Sequence, residues 1–246
     1  MKKTALITGA SGGLAQSLVK ELIREDWQLV LVSRSSEKLS QIYGNEHTQI
    51  NGDCSNFDGA KAIFDEIEKR EIPISSLAHC VGNIKLGALH RTSEDDFLDC
   101  MTTNLFSAFY TLAGFVGHLK KTSQSGAAVL VSSAAANIGT PNHEAISSAK
   151  AGLEGLVKSA SATYASSSIR VNAVSPGILD TPAAADLLSG ELMKDIAAKQ
   201  YPIKGIGNTE DVAALMAWLL SEKAQRVTGQ IWSIDGGFTS IRPLVK

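Results

Sequence analysis

Seven short apolar runs recur along the chain at intervals too long for hairpins and long enough to hold a helix between neighbours. They are "ALIT" (5–8), "QLVLVS" (28–33), "HTQIN" (47–51), "SSLAHC" (75–80), "AAVLVS" (127–132), "IRVNAVS" (169–175) and "QIWSI" (230–234). Segments of helical period lie near 13–25, 36–42, 57–70, 93–119, 145–166 and 209–221. Strands that alternate with helices argue for βαβ units and a parallel sheet. The expectation is α/β: a single doubly wound (Rossmann) domain over 1–246, with a seven-stranded parallel sheet and helices on both faces. Within 93–119, Phe97, Met101, Leu105, Phe109, Leu112, Val116 and Leu119 recur at three- and four-residue steps, one amphipathic face. Residues 182–208 break the rhythm, with a short helix expected over 183–199 and then the turn-rich "YPIKGIGN". Such a segment near the end of an α/β sheet suits a lid, placed here near 183–204, with Leu187, Leu188, Leu192 and Met193 closing over a small, partly apolar substrate.

Composition narrows the classes of partner. A net charge of −2 with acids and bases interspersed gives no footprint for nucleic acid or an anionic membrane. No apolar run reaches the ~18–20 residues that span a bilayer, and the apolar stretch of "MKKTALITG" is too short for a signal peptide. Cys54, Cys80 and Cys100 have neither metal-site spacing nor the even count of a disulfide framework. A reduced, cytoplasmic protein without a metal is expected, acting on a small molecule.

"ALITGASGGLAQSLVKELI" reads as strand, glycine-rich turn and helix. Glycines suit a turn where a Cβ would hold a phosphate away from the helix amides, and the helix dipole favours the anion. The literal G-x-G-x-x-G is absent; Thr8, Gly9, Ser11, Gly13, Leu14 and Ala15 stand in its place, and a pyrophosphate is expected there. After the second strand, Ser33 and Arg34 occupy the turn that meets the adenosine ribose, with no acid before Glu37. A guanidinium fits a 2′-phosphate bidentately, so NADP(H) is favoured over NAD(H).

From Thr4 to Phe238 the chain resembles the short-chain dehydrogenase/reductase family. "TGASGGLA" looks like its cofactor turn, and "GDCSN" sets Asp53 and Cys54 where that family contacts adenine. "HCVGN" stands in place of Asn-Asn-Ala-Gly, keeping Gly82 after Val81, and His79, Cys80 and Val81 are not expected to repeat the backbone-fixing bonds of that motif. "TTNLFSAF" supplies Asn104, "VLVSSAAA" supplies Ser133, and "VNAVSPGILDTP" supplies Pro176, Gly177 and Thr181 near the nicotinamide. "TGQIWSIDGGF" resembles the closing strand and its turn. The resemblance implies a homodimer or homotetramer built through the fourth and fifth helices. It also implies carbonyl reduction by four residues. Tyrosine gives the proton, and lysine lowers its pKa and holds the nicotinamide ribose. Serine binds the substrate oxygen, and asparagine positions a relay water.

In that pattern the tyrosine lies four residues before the lysine and thirteen after the serine. Counted from Lys150 and from Ser133, both routes land on Ile146, which cannot donate a proton. Three readings follow. A different acid replaces the phenol, and His143 stands seven residues before Lys150, the spacing used by the divergent enoyl-acyl-carrier reductases. Ser147, Ser148 and Glu144 are weaker candidates that suit helix caps, whereas Tyr110, Tyr164 and Tyr201 lie on segments the sequence cannot bring to the pocket. Alternatively, the substrate is a conjugated enone whose enolate needs only hydrogen bonds from Ser133 and water. In the third reading the protein binds a dinucleotide without catalysis, as a sensor or partner subunit. The site residues expected from these readings are Ser133, Lys150, Asn104 and His143, in an NADP(H)-dependent oxidoreductase with an atypical active site.

Overall fold

The computed structural model describes residues 3–242. In them, β1 (Thr4–Thr8), β2 (Gln28–Ser33), β3 (Thr48–Asn51), β4 (Ser76–His79), β5 (Gly126–Val131), β6 (Ile169–Pro176) and β7 (Ile231–Ile234) form one sheet in the order β3-β2-β1-β4-β5-β6-β7. Every neighbouring pair is parallel. This is the doubly wound architecture expected from the alternation of apolar runs. Side chains alternate across the strands. Leu6, Val30, Leu77, Leu130 and Val171 enter one core, against α3 (Phe57–Lys69), α5 (Ser107–Thr122) and α6 (Glu144–Tyr164). Ile7, Leu31, Ala78, Val129 and Val174 enter the other, against α1 (Gly13–Arg24), α2 (Ser36–Tyr43) and α8 (Thr209–Leu220). Burial on both faces explains why the strands read as unbroken apolar runs.

The sheet grows outward from β1 in one direction and from β4 in the other. Its switch point lies between those two strands, and ligands of such folds bind outside the carboxyl ends there.

Two elements differ from expectation. The helix expected over 93–119 is α4 (Glu94–Met101), a π turn at Thr102–Phe106, and α5. One extra residue in a turn leaves the three- and four-step apolar pattern readable, so the bulge is invisible to periodicity; π turns often mark functional positions. The helix expected over 183–199 is a 3-10 turn at Pro182–Ala184 and then α7 (Glu191–Ala198). Gly190 separates them at φ +82°, a conformation that a continuing helix of L-residues does not admit.

Candidate functional site

After Thr8 the chain turns at Gly9, which has φ +69°. A Cβ there would stand 2.8 Å from the Cys80 carbonyl carbon and 2.9 Å from the Val81 nitrogen. Only glycine lets the turns after β1 and β4 touch. The next helix starts without a side-chain cap at Gly12, and Ser11 through Ala15 line a cavity of about 480 Å3. Uncapped amides, the positive end of a twelve-residue helix and the lack of side chains at Gly12 and Gly13 fit a pyrophosphate. At the ribose end, the Ser33 hydroxyl lies 3.2 Å from that of Ser11 and accepts from the Ser35 amide. Arg34 is exposed and forms no ion pair among the described residues, whereas Glu37 accepts from the Ser35 hydroxyl that caps α2. Beyond them, Asp53 Oδ1 accepts from the Ser55 amide, and burial pushes the Cys54 thiol up to about 11.

The segment in place of Asn-Asn-Ala-Gly is fixed after all, by different bonds. His79 is buried, with Nδ1 2.8 Å from Thr8 Oγ1 and Nε2 3.1 Å from Ser107 Oγ. Ser107 gives its own proton to the Thr103 carbonyl, so it accepts from His79 Nε2–H, and Thr8 then donates to Nδ1. The ring thus ties β1 and β4 to α5, and burial drives its pKa down to about 3, keeping it neutral. Neighbouring Cys80 lines the cavity with a thiol pushed up to about 12 by burial, and Val81 packs against the core. A Cβ on Gly82 would meet Asn104 Oδ1 at 3.0 Å and Lys150 Nζ at 3.5 Å.

Asn104 sits in the π turn, fully buried. Its Oδ1 accepts from the Asn83 amide at 3.3 Å; its Nδ2 donates to Asn83 Oδ1 at 2.7 Å and to the Cys100 carbonyl at 3.0 Å. The side chain thereby holds the loop after β4.

Ser133 follows β5, where its hydroxyl accepts from the Ala135 amide at 3.2 Å and opens a 3-10 turn. Lys150, on α6, is 5% exposed and donates to the Val131 carbonyl at 2.7 Å. Burial lowers its pKa to about 8, partly offset by Cys100 and Cys80. One turn earlier Ile146 packs on Cys100, Ala135, Ala145 and Ala149 while lining the cavity. His143 is half-buried at the start of α6 and lines the same cavity. It follows Asn142, whose φ is +63° and whose carbonyl accepts from the Gly87 amide. Its Nδ1 lies 2.7 Å from the Pro141 carbonyl, which can only accept, so Nδ1 carries a proton. Ser148 bonds back to the Glu144 carbonyl, and no side chain caps α6.

Pro176, Gly177 and Thr181 form another wall. Of the expected lid residues, Leu187 and Met193 line the cavity. Leu188 is buried with Ala184 and Ala197, and Leu192 is exposed, so those two do not face a ligand. Tyr201, which the sequence alone could not bring to the pocket, lines the cavity with Ile84, Leu86, Ile178, Ile196 and Phe238. All but Ile196, on α7, come from loops, where no periodicity marks a wall-forming side chain.

A glycine turn at the switch point, beside a cavity bearing a serine and a buried lysine, is the ligand-binding arrangement of a doubly wound α/β domain. Comparison narrows the class. The family model described as Enoyl-(Acyl carrier protein) reductase matches residues 9–239. The chain is 31% identical to the 3-oxoacyl-[acyl-carrier-protein] reductase FabG of Staphylococcus aureus, covering 96% of this chain and 98% of that one. It is 32% identical to the uncharacterized oxidoreductase YmfI of Bacillus subtilis, covering 97% and 99%. The structure of ElxO with NADP bound superposes with a TM-score of 0.91 at 28% identity, over 98% of this chain and all of ElxO. A tyrosine-to-phenylalanine variant of ElxO with NADPH bound gives the same TM-score at 29% identity over the same shares. The chain belongs to the short-chain dehydrogenase/reductase family and is an oxidoreductase of that type.

Proposed function

We propose that the chain is an NADPH-dependent reductase of a small apolar carbonyl or enone, in which His143 takes the place of the missing phenol. The observation that carries this is that His143 is among the residues that line the cavity with Ser133, Lys150 and Ile146. The residues from Thr8 to Leu14 would hold the pyrophosphate, and Asp53, Cys54, Val81 and Gly82 the adenosine side. Pro176, Gly177 and Thr181 would face the nicotinamide. Ser33 and the free guanidinium of Arg34 support NADP(H) over NAD(H), as do the NADP-bound and NADPH-bound ElxO structures. The coenzyme would supply a hydride. Lys150 would hold the nicotinamide ribose and Ser133 the substrate oxygen. Because Nδ1–H is committed to Pro141, a transferable proton sits on Nε2 only when the imidazole is charged. Exposed Phe97, Leu98, Phe106 and Phe109 on α4, the π turn and α5 support the dimer or tetramer that the resemblance implies.

Matched ketones and enones, assayed with His143→Gln, test the reading. Ketone turnover should fall by about 10²-fold or more, the usual worth of a positioned acid. Loss on neither substrate overturns the assignment of His143. Enone turnover that survives while ketones are inert in the unaltered protein favours conjugate reduction, a reading supported by the hydrocarbon of Ile146 where the acid is missing. If neither NADPH nor NADH binds in a fluorescence titration, the redox reading fails and a non-catalytic role replaces it.

A further inference from the structure

The phenol missing from position 146 has a counterpart elsewhere in the same cavity. Tyr201 lies between α7 and α8, its ring 5.2 Å from that of Phe238 and packed over Gly177. A Cβ at Gly177 would come within 2.7 Å of the Tyr201 ring, so the ring's seat depends on that glycine. Its hydroxyl oxygen accepts from the Ile178 amide at 2.7 Å. With that acceptor role filled, the phenolic proton has no acceptor among the described residues, although Gly177, Ile178 and Tyr201 all line the cavity. Strands β5 and β6 are neighbours, paired at Val131 and Val174. Ser133 and Gly177, two and three residues further along, therefore emerge at adjoining strand ends.

A serine hydroxyl offers one hydrogen bond to a developing oxyanion. Oxyanion sites gain most from preorganised donors that need no rearrangement as charge appears. Tyr201 has the required features: an oxygen pinned by a backbone amide, a ring clamped by two loops and a proton left over. Burial also raises its pKa, which keeps the phenol protonated and hence a donor.

We propose that Tyr201 and Ser133 form a two-donor site for an enolate-like oxygen carried on an apolar ligand. The inference rests on this cavity being the reacting site, and it makes Tyr201 a catalytic residue that touches the substrate oxygen. It requires no covalent step, because Tyr201 donates a hydrogen bond and keeps its proton.

The probe is 4-nitrophenol, whose anion bears its charge on oxygen as an enolate does. It is titrated by absorbance at a pH below its ionisation in water, against the unaltered protein, Tyr201→Phe, Ser133→Ala and, as a control, Tyr110→Phe. The unaltered protein is expected to bind the anionic form. Each of the first two variants should bind it about tenfold more weakly, the worth of one hydrogen bond to a charged oxygen, with the control unchanged. Equal binding by Tyr201→Phe, or no uptake of the anion by the unaltered protein, overturns the proposal. So does weaker NADPH binding by Tyr201→Phe with phenolate binding intact, which would assign the hydroxyl to the coenzyme. Failure of the unaltered protein to bind NADPH in a parallel fluorescence titration sinks the redox reading separately and leaves the phenolate result to judge Tyr201.

Discussion

A single hydrocarbon, Ile146, stands where the resemblance read from the sequence implies a phenol. Ile146 is 4% exposed, yet one side of it faces the cavity in which Ser133 and His143 also lie. A phenol at this position carries an overpacking cost of about 1–3 kcal/mol against Ala135 and Ala149. Ile146→Tyr is accordingly expected to supply a second acid, so that His143→Gln, costly to ketone turnover in the unaltered protein, becomes nearly harmless in that background. Steady-state rates of the single and double variants check this. A phenol that fails to rescue His143→Gln would mean that position 146 is not placed to serve the oxygen that Ser133 binds. Position 146 was singled out by counting from two neighbours in the chain, and His143 by counting from Lys150 alone. Tyr201 was not, because its contact with Ile178 depends on the path of a loop 23 residues further along.

At the scale of elements, amphipathic period located the long helices and apolar runs located the strands. What period could not reveal was the π turn around Asn104 and the stitching of one element to another. Arg170, near the start of β6, shows the second kind. Its guanidinium donates to the carbonyls of Leu219 at 2.8 Å, Ser221 at 3.0 Å, Val227 at 3.3 Å and Leu220 at 3.4 Å. It therefore closes the carboxyl end of α8, where carbonyls lack helical partners and the dipole favours a cation. In the sequence it reads as one polar residue in a strand. Arg170→Met should cost about 2–3 kcal/mol, the range for hydrogen bonds to charged groups and their stranded acceptors. That corresponds to a fall in Tm of very roughly 5–10 °C for a chain of this length. Thermal denaturation measures it, and NADPH affinity should hold, since none of these groups lines the cavity. An unchanged Tm would show that water serves those carbonyls equally well.

The whole molecule inherits one more consequence from the turn after β4, where β1, β4 and α5 meet on a single imidazole. His79 is held neutral by burial, with a pKa down to about 3 against an ordinary value of 6.5. Above pH 6.5 it is uncharged in both folded and unfolded chains and adds no pH dependence. As the pH falls through 6.5 the unfolded chain takes up a proton that the folded one refuses, so stability is lost at up to ~1.4 kcal/mol per pH unit until about pH 3. The full window amounts to roughly 5 kcal/mol, comparable with the entire stability of many domains. Carboxylates also titrate towards the acid end, but equally in a variant that leaves them untouched. His79→Asn places at this position the amide that the family pattern carries, and it removes only the imidazole's share. Urea unfolding of both proteins at pH 7, 6 and 5 should give curves that converge, the unaltered protein losing its advantage by about 1 kcal/mol per unit. Parallel pH dependences would mean that the ring is protonated within the fold, and that the hydrogen bonds from Thr8 and to Ser107 do not fix its tautomer.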